Sequence, residues 1–235
     1  MESIKELRKL LQEEKIHPIG WKRPLGYKTL QRGLSIYITR LLLPLPIKPD
    51  YITILGITIG LVGCWFVFQN PWVYKIIGVC FLYLNTILDR VDGEIARYKK
   101  IYSLKGIYLD EINHLIIPSL FFLALAFGLH PFSILKSSVI YTAGALSALS
   151  IMIIRITHSL PQQIYIKKFL KNPDLFTLPE KSSNKIEELK KRHGMIRIVL
   201  YNVHLLQEFF IILIIFGAVL IIERLCCGNY IFFPI

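Results

Sequence analysis

Three aspartates and one histidine at helical spacing carry the chemistry of this sequence. Asp89, Asp92, Gly93, Ala96 and Arg97 form one run, and Gly106, Asp110 and His114 follow after eight further residues. At about 100° per helical residue the first run occupies an arc of roughly 140°, and the second repeats at i, i+4 along one face. Two facing helices would thus offer three carboxylates and an imidazole to one cavity, with small residues beside them. Carboxylate oxygens are hard ligands suited to Mg²⁺ or Mn²⁺, with phosphate oxygens able to complete the shell. Both runs border long apolar stretches, where an ionised group loses its hydration and is retained for function. The competing arrangement is a charged helix end in which the acids pair with Arg90, Arg97 and Lys105; the glycine and alanine placement favours the cavity.

The elements that must position these residues are membrane helices. The chain has 235 residues, 54% of them apolar, and a mean hydropathy of +0.51, well above that of a soluble domain. Five segments, 51–69, 72–97, 106–129, 134–157 and 196–222, approach or exceed the roughly twenty residues a crossing needs. The expected fold is therefore all-α, a polytopic membrane helical bundle with five transmembrane helices. Residues 1–15 read as an amphipathic interfacial helix, with Ile4, Leu7, Leu10 and Leu11 on one side. Trp21, Lys22, Arg23 and Tyr27 have the character of the headgroup layer. The apolar stretch 34–47 is too short to span and contains Arg40, Pro44 and Pro46, so it reads as a second interfacial helix. Residues 1–48 form a cytoplasmic juxtamembrane segment and 49–235 a transmembrane domain. No cleavable leader is expected, because 1–33 is polar and basic.

Residues 1–50 carry ten Lys/Arg, 98–105 three and 158–195 eight, while 69–72 and 129–135 carry none. Positive residues mark the cytoplasmic side, which puts the acidic cluster at the cytoplasmic ends of the second and third spans, in the cell membrane. The same distribution assigns the net charge of +12 to topology and anionic lipid rather than nucleic acid. Cys64 and Cys80 lie in apolar runs as small hydrophobes, and Cys226 and Cys227 show no metal or disulfide spacing. Residues 158–195 read as a basic connector with a short helix at Asn184–Arg192.

The run resembles the signature of the CDP-alcohol phosphotransferases: D, two residues, DG, two residues, AR, about eight residues, G, three residues, D, three residues, D. Asp89, Asp92, Gly93, Ala96, Arg97, Gly106 and Asp110 match it, and His114 replaces the fourth aspartate. Pro49-Asp50-Tyr51-Ile52-Thr53 is similar to the Pro-Asn-x-Ile/Leu-Thr that opens the family's first helix, with Asp50 for Asn. The resemblance covers roughly 45–160. It implies six spanning helices where five are found, and transfer of a substituted phosphate from a CDP-alcohol to a hydroxyl acceptor with release of CMP, as in phospholipid biosynthesis. It also implies a homodimer and two divalent ions, Mg²⁺ or Mn²⁺, held by Asp89, Asp92, Asp110 and His114. Thr53, Asp92, Gly93, Ala96 and Arg97 would take the nucleotide, with His114 and Asp110 catalytic.

His114 stands where relatives have the residue proposed to take the acceptor's proton and help hold metal. A neutral imidazole can do either near neutral pH; the other outcome is a protein that binds CDP-alcohol without turnover. Gly93 and Ala96 could admit a flat nucleotide or serve a helix contact. Gly56, Gly60 and Gly63 read as a close helix contact, and Asn85, one turn before Asp89, could orient it. In the last span Arg197, Tyr201, His204 and Glu208 fall within about 60°. With Arg155 and His158, Arg197 and His204 would help bind the acceptor, at least one reactant being a lipid; the alternative is interfacial snorkelling, which suits Arg155 and Arg197 more than the deeper His204 and Glu208. Gly144, Ser147 and Ala148 form a small-residue stripe suited to internal packing or a dimer. A transporter with an acidic cavity is the alternative class, and it predicts acids spread through the bilayer depth.

Overall fold

The computed structural model describes residues 2–16, 31–129, 137–171 and 209–227, with backbone alone at 13–16, 158–171, 210 and 223–227. Seven helices are described: α1 Ile4–Ile16, α2 Arg32–Leu42, α3 Pro49–Phe68, α4 Trp72–Lys99, α5 Leu104–Leu129, α6 Ser137–Lys171 and α7 Phe209–Cys227. No strand occurs among the described residues. Four helices are long and apolar enough to cross a membrane: α3, α4, α5 and residues 137–157 of α6. The expected fifth span, 196–222, is described only from Phe209, and α7 contains the shorter apolar stretch Ile211–Ile222. The molecule is a polytopic membrane helical bundle. Leu55, Leu61, Trp65, Leu146, Leu149 and Ile153 stay exposed on its outside, as lipid-facing side chains do.

Local signals set the helix ends. Pro49 opens α3 at its first turn, where the missing N–H costs nothing, and Asp50 follows at the positive end of the helix dipole. α4 stops at Lys99. Lys100 turns left-handed (φ 55°), and the N–H of Ile101 donates back to the Ala96 carbonyl. Ser103 then starts α5, its Oγ accepting from the Gly106 N–H at 2.8 Å. In α1 the Ser3 Oγ and the Glu6 carboxylate reciprocally accept each other's backbone N–H groups. Hydrogen bonds from the Ser3 backbone and hydroxyl hold the Glu6 carboxyl below its ordinary range. α6 runs on to Lys171 through Pro161, so the expected connector 158–195 begins as helix: one proline removes a single hydrogen bond without ending a well-supported helix. The helix expected at 184–192 lies outside the described residues.

Glycines set the distance between α3 and α4. A Cβ on Gly63 would lie 2.9 Å from Leu82 and 3.1 Å from the Gly78 carbonyl, and one on Gly78 would lie 2.8 Å from the Gly63 carbonyl. Cys64, Val67, Leu82, Ile117, Phe121 and Leu213 form the core beside that contact. Phe121 stands edge-on to Phe209 and Phe216 of α7. A Cβ on Gly144 would overlap Ala126 of α5, and Ser119 of α5 donates to the Ala148 carbonyl at 3.5 Å. The stripe on α6 is therefore spent inside the chain.

The N-terminal helices are docked rather than merely interfacial. Leu7 and Leu11 of α1 pack with Ile36 of α2, while Ile38, Leu42 and Leu43 meet the Ile52–Ile95 cluster of α3 and α4. α2 ends at Leu42, ahead of Pro44. Lys99 Nζ closes the link to α3 by donating to the carbonyls of Leu45 (2.7 Å) and Ile47 (3.0 Å).

Candidate active site

A cavity of about 340 Å³ opens where α3, α4 and α5 meet, and Thr53, Asp89, Asp92, Gly93, Ala96 and Arg97 line it. Gly106, Asp110 and His114 line it as well. The eight nucleotide, metal and catalytic positions read from the sequence are thus gathered into one space, with Gly106 of the motif beside them. α3 contributes Thr53, whose Oγ1 donates to Asp92 Oδ2 at 2.6 Å. α4 presents Asp89, Asp92, Gly93, Ala96 and Arg97, and α5 presents Gly106, Asp110 and His114.

His114 Nε2 sits between two carboxylates, 3.2 Å from Asp89 Oδ1 and 3.4 Å from Asp110 Oδ1. One donor atom from each of Asp89, Asp110 and His114 lies within 4.8 Å of the others. The Asp89 side chain is 4% exposed, and its Oδ1 makes no hydrogen bond of good geometry. A buried anionic oxygen in that condition, beside a second carboxylate and an imidazole nitrogen, is what a divalent cation requires. The residues fit the ion that the resemblance implies. Asp92 stands apart from this trio, bonded to Thr53.

Small residues at the site have steric causes. A Cβ on Gly106 would sit 2.8 Å from Asp50 Oδ1 and 3.0 Å from Ser103 Oγ. Those two atoms are already joined, Ser103 Oγ donating to Asp50 at 2.7 Å. A Cβ on Gly93 would come within 3.3 Å of Arg97 Nη1, so a side chain there would move the arginine. Arg97 Nε donates to the Leu11 carbonyl of α1 at 3.2 Å. Pro118 of α5 removes the helical donor to the His114 carbonyl.

The sequence model of CDP-alcohol phosphatidyltransferases matches residues 47–222. The chain belongs to that family. No individually curated protein matches it. As a CDP-alcohol phosphatidyltransferase the chain is a transferase of the class that moves phosphate from a CDP-alcohol to an acceptor.

Other expectations meet a different arrangement. Asn85 does not hold Asp89; its Nδ2 donates to the Gly56 carbonyl and to Asn113 Oδ1, both at 2.9 Å, locking α3, α4 and α5 together. Gly56 and Gly60 face this amide, because three helices this close leave buried carbonyls that need a donor. Arg155 does not line the cavity and pairs instead with Glu111 of α5 at 3.2 Å. His158 lies on α6 where only the backbone is described, and Arg197 and His204 lie outside the described residues.

Glu94 and Arg32 went unnoticed in the sequence reading. Glu94 is wholly buried and accepts from Gln12 Nε2 (2.8 Å), Ser35 Oγ (2.7 Å) and Thr39 Oγ1 (2.6 Å), with Arg32 Nη1 at 3.4 Å. Its only sequence signal was a charge within the motif that matches no motif position.

Proposed function

We propose that this transferase moves a substituted phosphate from a CDP-linked alcohol, such as CDP-diacylglycerol or a CDP-polyol, to a hydroxyl acceptor and releases CMP. The observation that carries this reading is the single cavity lined by all the motif residues, with donor atoms of Asp89, Asp110 and His114 in mutual reach. A new bond forms between the acceptor oxygen and the phosphorus, the bond from that phosphorus to CMP breaks, and the acceptor's proton must be taken up. Two carboxylate oxygens flank His114 Nε2, so a proton received at that nitrogen would be held by both. If His114 Nε2 is instead a metal ligand, the half-exposed Asp110 takes that proton. Asp89, Asp110 and His114 would hold a divalent ion, with Asp92 toward a second, and the chemistry such ions supply is neutralisation of charge on the phosphate and on departing CMP.

Thr53, Gly93, Ala96 and Arg97 would receive the nucleotide: the small residues leave the α4 backbone approachable, and Arg97 supplies a cation. The basic segments 31–50 and 98–105 both contribute residues to the cavity lining, which supports a cytoplasm-facing site in the cell membrane. A lipid as one reactant, phospholipid synthesis as the pathway class and a homodimer belong to this reading. Since Gly144 and Ala148 are used internally, the dimer would use another face. Among the described acids, Asp89, Asp92 and Asp110 converge on one cavity, which favours an enzyme over a transporter.

The test is CMP release by the purified chain in nanodiscs, given CDP-diacylglycerol or CDP-inositol with a panel of acceptor alcohols, in Mg²⁺ and in Mn²⁺. Acceptor-dependent CMP that disappears in Asp110→Ala supports the reading. Turnover absent in the native chain but present in His114→Asp would replace it with a binding protein that has lost the reaction.

A further inference from the structure

We infer that Arg32 is a phosphate-binding residue of this site, fixed in place by Glu94; the inference rests on the CDP-alcohol reading above. Arg32 belongs to α2, outside the matched region 47–222, yet it lines the same cavity as the motif residues. Its side chain is only 4% exposed and Glu94 is 0% exposed. Burying a guanidinium is costly even when it is paired, so an arginine here is weak evidence of a purely stabilising role.

The contacts around Glu94 show that Arg32 is not needed to satisfy it. Three neutral groups, from Gln12, Ser35 and Thr39, already donate to the Glu94 carboxylate at 2.6–2.8 Å, while Arg32 stands at 3.4 Å. The carboxylate holds Arg32 by charge, and three residues from two helices hold the carboxylate. Glu94 is next to Gly93 and one turn before Arg97, so Arg32 lies beside the part of the cavity those residues form. A planar guanidinium fork matches two phosphate oxygens. Asp50, Asp89, Asp92 and Asp110 line the cavity alongside Arg90 and Arg97, and a dianionic pyrophosphate entering it needs fixed cations as well as metal. The same N-terminal unit restrains a second cation, since Leu11 of α1 accepts from Arg97. The N-terminal helices are thereby a wall of the nucleotide site.

The experiment compares binding of CDP and of cytidine, which lacks phosphate, by the full chain in nanodiscs with Mn²⁺, using Arg32→Gln, Arg32→Lys and Thr39→Val. Thr39 touches Glu94 without lining the cavity, so its variant reports what loosening the anchor does alone. The expected result is a loss of about ten- to a hundredfold in CDP affinity for Arg32→Gln, the worth of a charge-assisted contact. Cytidine binding should stay within about twofold, Arg32→Lys should recover part of the loss, and Thr39→Val should keep the native ratio of the two ligands. Equal losses for CDP and cytidine in Arg32→Gln, or the same pattern in Thr39→Val, would overturn the inference and leave a structural role. A native chain that prefers CDP over cytidine while Arg32→Gln matches it overturns the inference alone; a native chain without that preference overturns the CDP-alcohol reading beneath it.

Discussion

Replacing Glu94 with alanine removes the acceptor on which the N-terminal helices converge. Gln12 Nε2 and Ser35 Oγ keep a second partner, the Arg32 carbonyl, at 2.9 and 3.4 Å. Thr39 Oγ1 loses its 2.6 Å bond, and Arg32 loses its carboxylate. A buried donor left unsatisfied costs about 1–3 kcal/mol, and breaking a buried ion pair from one side costs about 3–5 kcal/mol. Arg32 borders a cavity that water can enter, so the two do not sum, and the total should be about 3–5 kcal/mol. At 1.4 kcal/mol per decade the docking equilibrium of α1 and α2 shifts by about two to three and a half orders of magnitude. Hydrogen exchange in nanodiscs measures this directly. Amides at 4–12 and 32–42 should lose protection in Glu94→Ala, while 52–67 and 113–126 keep theirs. Glu94→Gln preserves shape and one acceptor oxygen, and should lose less. Unchanged protection of α1 and α2 in Glu94→Ala would refute the hub.

Three further outcomes are expected. Asp110→Ala and His114→Ala should each weaken Mn²⁺ binding by about tenfold or more, read by electron paramagnetic titration, because each removes one of three donors within mutual reach. Thr53→Val deletes the donor to Asp92 and should raise the KM for the CDP-alcohol by about tenfold, with a smaller change in kcat, in the CMP-release assay. The Glu6 carboxyl is held below its ordinary value of 4.5 by Ser3. A depressed carboxyl contributes above its unfolded value and loses that contribution as pH falls through the lower folded one. Protection factors at the first turn of α1 should therefore drop as pH falls below 4.5, and Glu6→Gln should abolish that dependence.

Much of the site was legible because its residues are local in sequence: Asp89 to Arg97 and Gly106 to His114 each lie on one helix, where spacing alone fixes the face. The α3–α4 contact was legible for the same reason, from the glycine stripe at 56, 60 and 63. What escaped depends on pairing between distant segments. Gln12 and Glu94 are 82 residues apart and Thr39 and Glu94 are 55 apart, and nothing in periodicity links them. Asn85 was assigned to the nearest acid on its own helix. The closer demand came from the Gly56 carbonyl and Asn113 across the helix interface. Arg155 and its partner Glu111 on the neighbouring helix are 44 residues apart, and periodicity does not link them either.

The glycine contact between α3 and α4 also acts as a pivot with a long arm. Thr53 lies ten residues from Gly63, a rise of about 15 Å along the helix axis. A side chain at 63 or 78 must push the helices apart where their backbones now touch. A tilt of about 4° there displaces Thr53 by about 1 Å relative to Asp92, enough to cost on the order of a hundredfold in rate when reacting groups must align. The place where this enzyme is most easily silenced without touching its chemistry is thus a pair of side-chain-free positions at the far end of the bundle.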